Sequence, residues 1–171
     1  LYAGFSEWPA HKIAEGVRLQ KELGLHKFVA SQPVYNMFNR YIEREVIPLC
    51  DEAGIGQVVF SPLAQGVLTG KYKRGQQPPA GSRAATDQVK KFVERYLTDE
   101  NLARVEQLEG VAKELGITLP QLALAWVLRL PSISSALIGA SRPEQIVENV
   151  KAIDVKLDES VLEKIEEILK S

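Results

Sequence analysis

"DEAGIGQVVFS", residues 51–61, is the stretch on which the fold turns. A charged segment stops at Gly54, a residue suited to the left-handed position just past a helix, and an apolar residue follows it. The chain then enters "GQVVFS" (56–61), a short β-branched and aromatic run of the kind that makes a buried strand. A helix stop followed at once by a strand is the repeating junction of a parallel α/β fold. The same junction occurs at "KELGL" (21–25), which leads into "KFVASQ" (27–32). "KELGI" (113–117) is a third stop, "SSALIG" (134–139) a further strand, and "YAGFS" (2–6) reads as another, entered from a helix upstream of it.

The segments between these runs have helical spacing. Ile13 and Val17 precede the stop at Gly24, and Leu102, Val105, Leu108, Val111, Ala112 and Leu115 mark a long helix before Gly116. "LPQLALAWVLRL" (119–130) is apolar almost all round, which predicts deep burial. Ile146, Val150 and Ile153 predict the inner stripe of one late helix, and Asp158 the N-cap of the last. Pro48 should kink its helix or restart it. Strand–helix–strand alternation, repeated over four strands, requires a parallel sheet with right-handed crossovers. The interval before the fourth strand is long. It holds "KYKRGQQPPAGSRAATDQ" (71–88), and a loop of that length in a compact domain is usually functional or disordered.

Composition narrows the function. The 171 residues are 45% hydrophobic and 25% charged, with a net charge of −1, which gives no reason to expect nucleic acid or an acidic membrane surface. One cysteine, Cys50, excludes an internal disulfide and suits a reducing cytoplasm. No apolar run is long enough to insert in a bilayer. His11 and His26 lie on or just after the first helix, away from every strand end, and no metal-ligand cluster, G-x-G-x-x-G motif or phosphate-loop motif is present.

Ligands of parallel α/β folds gather at the C-terminal ends of the strands. That rule selects Ser6 and Glu7, Gln32, Phe60 through Leu63, and Gly139 through Arg142. "SRPE" (141–144) reads equally as a capping box, with Ser141 as N-cap and Glu144 at N3, or as an anion site at a helix N-terminus reinforced by Arg142. Gln145, Glu148 and Asn149 fall behind it at helical spacing. Gln32 is expected to be a buried amide that either meets a ligand or ties loops together. Phe60 is either core or a flat face for a ring, and Cys50 is expected to be inert packing.

Five ordered motifs, "GFSEW", "QPVYNMFNR", "FSPLAQGVLTGKY", "PPAGSRA" and "GASRPEQIVEN", resemble the C-terminal half of the aldo-keto reductases, in the branch related to potassium-channel β subunits. The resemblance covers residues 2 to about 165 and implies a partial TIM barrel, strands five to eight with their helices, over residues 1–171. It implies NADP(H) lying across the C-terminal face. Ser6 and Gln32 would hold the nicotinamide carboxamide, with Phe60 stacked on the ring. Ser61, Pro62, Leu63 and the segment to Gly66 would follow the pyrophosphate and ribose. Lys71 and Arg83 would belong to a covering loop over 71–98. Gly139, Ser141 and Arg142 would take the 2′-phosphate, and Gln145, Glu148 and Asn149 the adenosine end. Many family members have asparagine where Glu7 stands, although glutamate occurs in this branch, and the family's catalytic aspartate, tyrosine, lysine and histidine belong to the first four βα units. Tyr2, Tyr35, Tyr41 and Tyr72 do not match the catalytic tyrosine's motif. The implied protein is a carbonyl reductase, or a nucleotide-sensing subunit of the channel β type, with this chain inactive alone. Its implied partners are a small carbonyl substrate and either an N-terminal half or a second copy.

Overall fold

The computed structural model describes residues 1–171. Gly54 takes φ 70°, and its N–H reaches back to the carbonyls of Asp51 and Cys50, closing a helix that any β-carbon would strain; Gly24 and Gly116 are left-handed in the same way. The four strands are β1 (Ala3–Ser6), β2 (Phe28–Gln32), β3 (Gly56–Phe60) and β4 (Ile133–Leu137), and β2 and β3 follow directly from such stops. All pair in parallel, and their order in space is their order in sequence. Helix α1 (Ala10–Glu22) links β1 to β2, and α2 (Val46–Ala53) links β2 to β3. The long third interval contains α3 (Asp87–Glu94), α4 (Asp99–Glu114) and α5 (Leu119–Leu128), and α6 (Pro143–Val150) and α7 (Glu159–Lys170) complete the chain. This is an α/β fold whose sequential parallel sheet, open at both edges, is consistent with part of a (β/α)8 barrel.

The local devices are visible in the sequence. Pro48 stands in the first turn of α2, where a missing N–H removes no helical bond, so the helix restarts there after the short 3-10 turn Tyr41–Glu43. Asp158 caps α7 by accepting the Val161 N–H at 2.9 Å. Thr118 and Gln121 form a reciprocal capping box at α5. The covering loop expected over 71–98 is partly helical, since it contains α3 and a 3-10 turn at Arg83–Ala85.

The core lies between one face of the sheet and the helices. Ile13, Val59, Leu68, Leu108, Leu122, Trp126 and Ile165 are fully buried there. Each such side chain contributes about 1.5–3 kcal/mol of transfer free energy. The helix α5 is buried along nearly its whole length, as its composition requires. An ionic network pins the C-terminal helix to the core. Arg40 pairs with Glu43 at 2.8 Å and with Glu166 of α7 at 2.7 Å, and Arg129 pairs with Glu43 at 3.1 Å. The Arg129 guanidinium lies 3.6 Å from the centre of the Trp126 ring, which stacks on Tyr35.

The opposite face of the sheet carries small residues. Gly4 is in register with Ala30, and Ala30 with Gly56. At Gly4 a β-carbon would stand 2.5 Å from the Ala30 carbonyl oxygen, so the close approach of β1 to β2 demands glycine. One helix departs from expectation. Ile146, Val150 and Ile153 were expected to face inward, but they are 55%, 53% and 68% exposed, while Asn149 is buried. The reason is a polar contact: Gln121 Nε2 donates to the Glu148 carbonyl at 2.9 Å and to its carboxylate at 2.8 Å, which turns the polar flank of α6 toward α5. No single helix is long and apolar enough to cross a membrane.

Candidate functional site

The site is built along the C-terminal ends of the four strands, and it is read from β1 to β4. Ser6 and Gln32 end β1 and β2 in register with each other, and Ser6 Oγ donates to the Gln32 carbonyl at 2.7 Å. Gln32 was expected to be buried; it is exposed, because the small-residue face of the sheet has nothing over it. Its side-chain amide therefore remains open to a ligand. Glu7 follows Ser6 in a left-handed conformation, φ 56°, and its carboxylate accepts the Val34 N–H at 2.6 Å and the Tyr41 hydroxyl at 3.2 Å. Burial, and then the neighbouring Glu7 carboxylate, push the Tyr41 phenol up from its ordinary value.

Phe60 ends β3, half-buried, one strand over from Gln32. Its N–H donates to the Pro33 carbonyl at 3.0 Å, and its own carbonyl accepts from Tyr35 at 3.2 Å. The chain then turns sharply. Ser61, Ala64, Gln65 and Gly66 all have positive φ, at 54°, 47°, 58° and 99°. Three such non-glycine residues in one turn are costly and accumulate where surroundings fix them. One support is buried Asn36, whose Nδ2 donates to the Ser61 carbonyl at 3.0 Å and to the Tyr96 hydroxyl at 3.3 Å.

A second support is a relay from the covering loop. Gln65 Nε2 donates to Ser61 Oγ at 2.5 Å, and Arg83 donates to Gln65 Oε1 at 2.6 Å. The other arm of the guanidinium reaches β4, since a β-carbon on Gly139 would lie 3.4 Å from it. Lys71 is as close to the turn, with its Nζ 3.1 Å from where a Gly66 β-carbon would stand. Thus two loop cations sit over glycines at the ends of β3 and β4, in a cradle that side chains would fill. Pro62 is buried and Leu63 half-buried beneath the turn.

At the end of β4 the expected capping box is absent. Arg142, not Ser141, is the N-cap of α6, with φ −144° and ψ 144°, and no side chain caps it. Gln145 instead reaches back, accepting the Ser141 N–H at 2.8 Å and approaching its Oγ at 3.3 Å. That contact displaces the start of the helix by one residue. It leaves Arg142 exposed, with no acidic partner, at the positive end of α6. Glu148 and Asn149 are carried inward to α5, and Glu148 also pairs with Lys151 at 2.9 Å.

Sequence reasoning passed over Gln65 and Asn36. Gln65 sits inside a motif read for its backbone, and Asn36 inside one read as a connection. The only signal was that both are amides in otherwise apolar surroundings.

Chemically, this row offers amide donors and acceptors at one end, an aromatic ring beside them, then cations over a glycine turn, and a free guanidinium at the other end. It can hold an extended anionic ligand with a flat amide-bearing head. It contains no histidine and no cysteine. A cleft of about 610 Å³ lies elsewhere: Leu128, Leu130, Ile153, Val155 and Leu162 line it near the start of β4. Its half-buried cation, Arg129, is already engaged by Glu43, so the strand ends are the better candidate.

A family model described as "Aldo/keto reductase family" matches residues 1–170. Among curated proteins, a rice (Oryza sativa subsp. japonica) protein is 44% identical over 173 residues, covering 99% of this chain and 52% of the relative. An Arabidopsis thaliana protein is 46% identical over 173 residues with the same coverage. Both bear the name "Probable voltage-gated potassium channel subunit beta". A Schizosaccharomyces pombe protein, also named as a channel subunit beta, is 42% identical over 174 residues and covers 98% of this chain and 50% of the relative. The chain spans about half the length of the curated relatives it matches.

Proposed function

The chain belongs to the aldo/keto reductase family, and from that premise we propose that it is the cofactor-holding, C-terminal half of an NADP(H)-dependent reductase of aldehyde or ketone carbonyls. The observation that carries this reading is the order of the sheet. Because β1 to β4 neighbour one another in sequence, their ends line up Ser6 and Gln32, Phe60, the Ser61–Gly66 turn under Lys71 and Arg83, and Gly139 with Arg142 along one edge. Strands are spaced about 4.8 Å apart, so the row extends roughly 14 Å across the sheet before α6 begins, a span suited to an extended dinucleotide rather than a mononucleotide.

The residues fit the parts of such a cofactor. The exposed Gln32 amide and the Ser6 hydroxyl supply a donor and acceptors for a carboxamide. The Phe60 ring offers a face to the nicotinamide. The left-handed turn with Lys71 and Arg83 offers backbone amides and two cations to a pyrophosphate. Ser141 and Arg142 would take the 2′-phosphate, a forked donor for a dianion, with Gln145 bordering the adenosine and Glu148 and Asn149 set behind it against α5. The bound cofactor supplies a hydride for the carbonyl carbon. This chain's residues bind and orient it, and the group that protonates the carbonyl oxygen belongs to βα units outside these residues. The 171-residue chain by itself therefore turns over no carbonyl, and its open strand edges are where those units would pair.

Fluorescence titration with NADPH and NADH tests the reading. Replacing Arg142 by Ala should weaken NADPH about 10- to 100-fold, the worth of charge-assisted hydrogen bonds, and leave NADH nearly unchanged. An unaltered preference for NADPH would refute the assignment of the 2′-phosphate.

The names of the rice and Arabidopsis relatives favour a second reading, a nucleotide-sensing subunit in which occupancy rather than turnover matters. Tight NADPH binding by the full encoded protein, without reduction of any reactive aldehyde, would select it.

A further inference from the structure

Glu7 is unusual in three respects. It is a non-glycine residue in the left-handed region at φ 56°, a conformation that costs about 1 kcal/mol or more and persists where surroundings fix it. Two donors, the Val34 N–H at 2.6 Å and the Tyr41 hydroxyl at 3.2 Å, hold its carboxylate over the strand ends. And it is uncompensated, since none of the ion pairs of the chain includes it. Neutral donors fix the position of the charge but leave its sign in place.

The location is specific. Glu7 follows Ser6 directly, and Ser6 bonds the Gln32 carbonyl. Val34, which holds the carboxylate, bridges to Phe60 at the end of β3. The charge therefore sits at the Ser6–Gln32–Phe60 end of the row, far along it from the cations Arg83 and Arg142. One negative charge faces the flat, amide-bearing end, and the positive charges face the anionic end.

We propose that Glu7 sets the redox preference of the bound dinucleotide. The inference rests on the reading that Ser6, Gln32 and Phe60 hold a nicotinamide. That ring carries a formal positive charge when oxidised and none when reduced, while the remainder of the cofactor is the same in both forms. A fixed carboxylate beside it stabilises the oxidised form selectively. It thus lowers the affinity for NADPH relative to NADP⁺, and a group shifts an equilibrium only by such a difference. For a partly exposed charge several ångströms away, the difference is on the order of 3- to 10-fold in the affinity ratio.

The test uses the protein at its full encoded length, with dissociation constants for NADP⁺ and NADPH measured by calorimetry for wild type, Glu7→Gln and Glu7→Lys. Gln keeps the acceptor for Val34 and Tyr41 and removes only the charge. The ratio Kd(NADP⁺)/Kd(NADPH) should rise about 3- to 10-fold in the Gln variant and further in the Lys variant. Equal weakening of both nucleotides would show that Glu7 only shapes the backbone, overturning this inference while leaving the cofactor reading intact. Failure of wild type to bind either nucleotide would remove both. If the variants do not fold, wild type suffices, because salt screens the phosphates equally in both nucleotides. The ratio should rise with ionic strength, and a constant ratio between 20 and about 300 mM salt would overturn the proposal.

Discussion

Glu43 is the residue on which most of the buried charge converges. Burial pushes its carboxyl up, but hydrogen bonds from Arg40, Tyr35 and Arg129 more than offset this and hold it below the usual carboxylate range. A carboxylate depressed in the folded state adds stability above its unfolded value, roughly pH 4.3, and that stability is lost as pH falls through the folded value. Thermal melts should therefore show wild type losing stability as pH is lowered from about 4.3 toward 3, with Glu43→Gln flatter across that window. At pH 7 the variant should be less stable by about 1–3 kcal/mol, since Arg129 would keep its half-buried position with a weaker partner. None of this was legible in the sequence. Glu43 meets Arg129 across 86 residues, and Arg40 meets Glu166 across 126, and charge patterning reports only neighbours on one helix. Phe60 and Ser6 were legible for the opposite reason: strand-end position follows from the helix stops around them. Gln32 was placed correctly but expected to be buried, because the exposure of a sheet face is decided by what covers it.

Elements were read most securely where a backbone constraint was local. All four strands and the glycine stops lie where period and left-handed geometry put them. Capping was harder. "TLPQ" (118–121) and "SRPE" (141–144) have the same form, a hydroxyl residue, a proline two positions on and a long polar residue at the third. Only the first closes as a box, with the Gln121 N–H bonded to Thr118 Oγ1 at 3.4 Å and Gln121 Oε1 returning to the Thr118 N–H at 3.0 Å. In the second, Gln145 takes the Ser141 N–H and the helix begins a residue later. The pair gives a paired prediction. Thr118→Ala should lower stability by about 1 kcal/mol in chemical denaturation, and Ser141→Ala should leave stability within about 0.5 kcal/mol of wild type. If Ser141 belongs to a phosphate site, its replacement should instead appear as weaker NADPH binding. Comparable loss of stability in both variants would mean that Ser141 is a structural cap after all.

At the scale of the whole molecule, the sheet has two free parallel edges, β1 and β4, and a bare face whose aligned row is Gly4, Ala30 and Gly56. Free edges invite pairing. The small row restricts what can pair well. A second copy would set glycine and alanine opposite glycine and alanine and leave a void, whereas strands with bulky inward side chains would fill the space to interior density. The 171-residue chain alone should therefore sediment as concentration-dependent oligomers. Co-expression with the complementary four βα units should collapse these to a 1:1 species; a stable monomer of the lone chain would contradict this. The sheet's extent was legible, since four short strand-like runs, two of them directly after a helix stop, imply four strands. Its bare face follows from the half-barrel resemblance and not from periodicity, which cannot tell a side covered by helices from one left for a partner. The same ignorance explains α6, whose polar flank turns in and whose Ile146, Val147 and Val150 turn out. A helix mounted this way is held to α5 by the amide contacts of Gln121 and by the buried Asn149. The guanidinium at its head is placed by the same contacts. Whatever comes to rest on that outward flank would also steady the grip on the far end of the ligand, so assembly and affinity would be coupled through one helix.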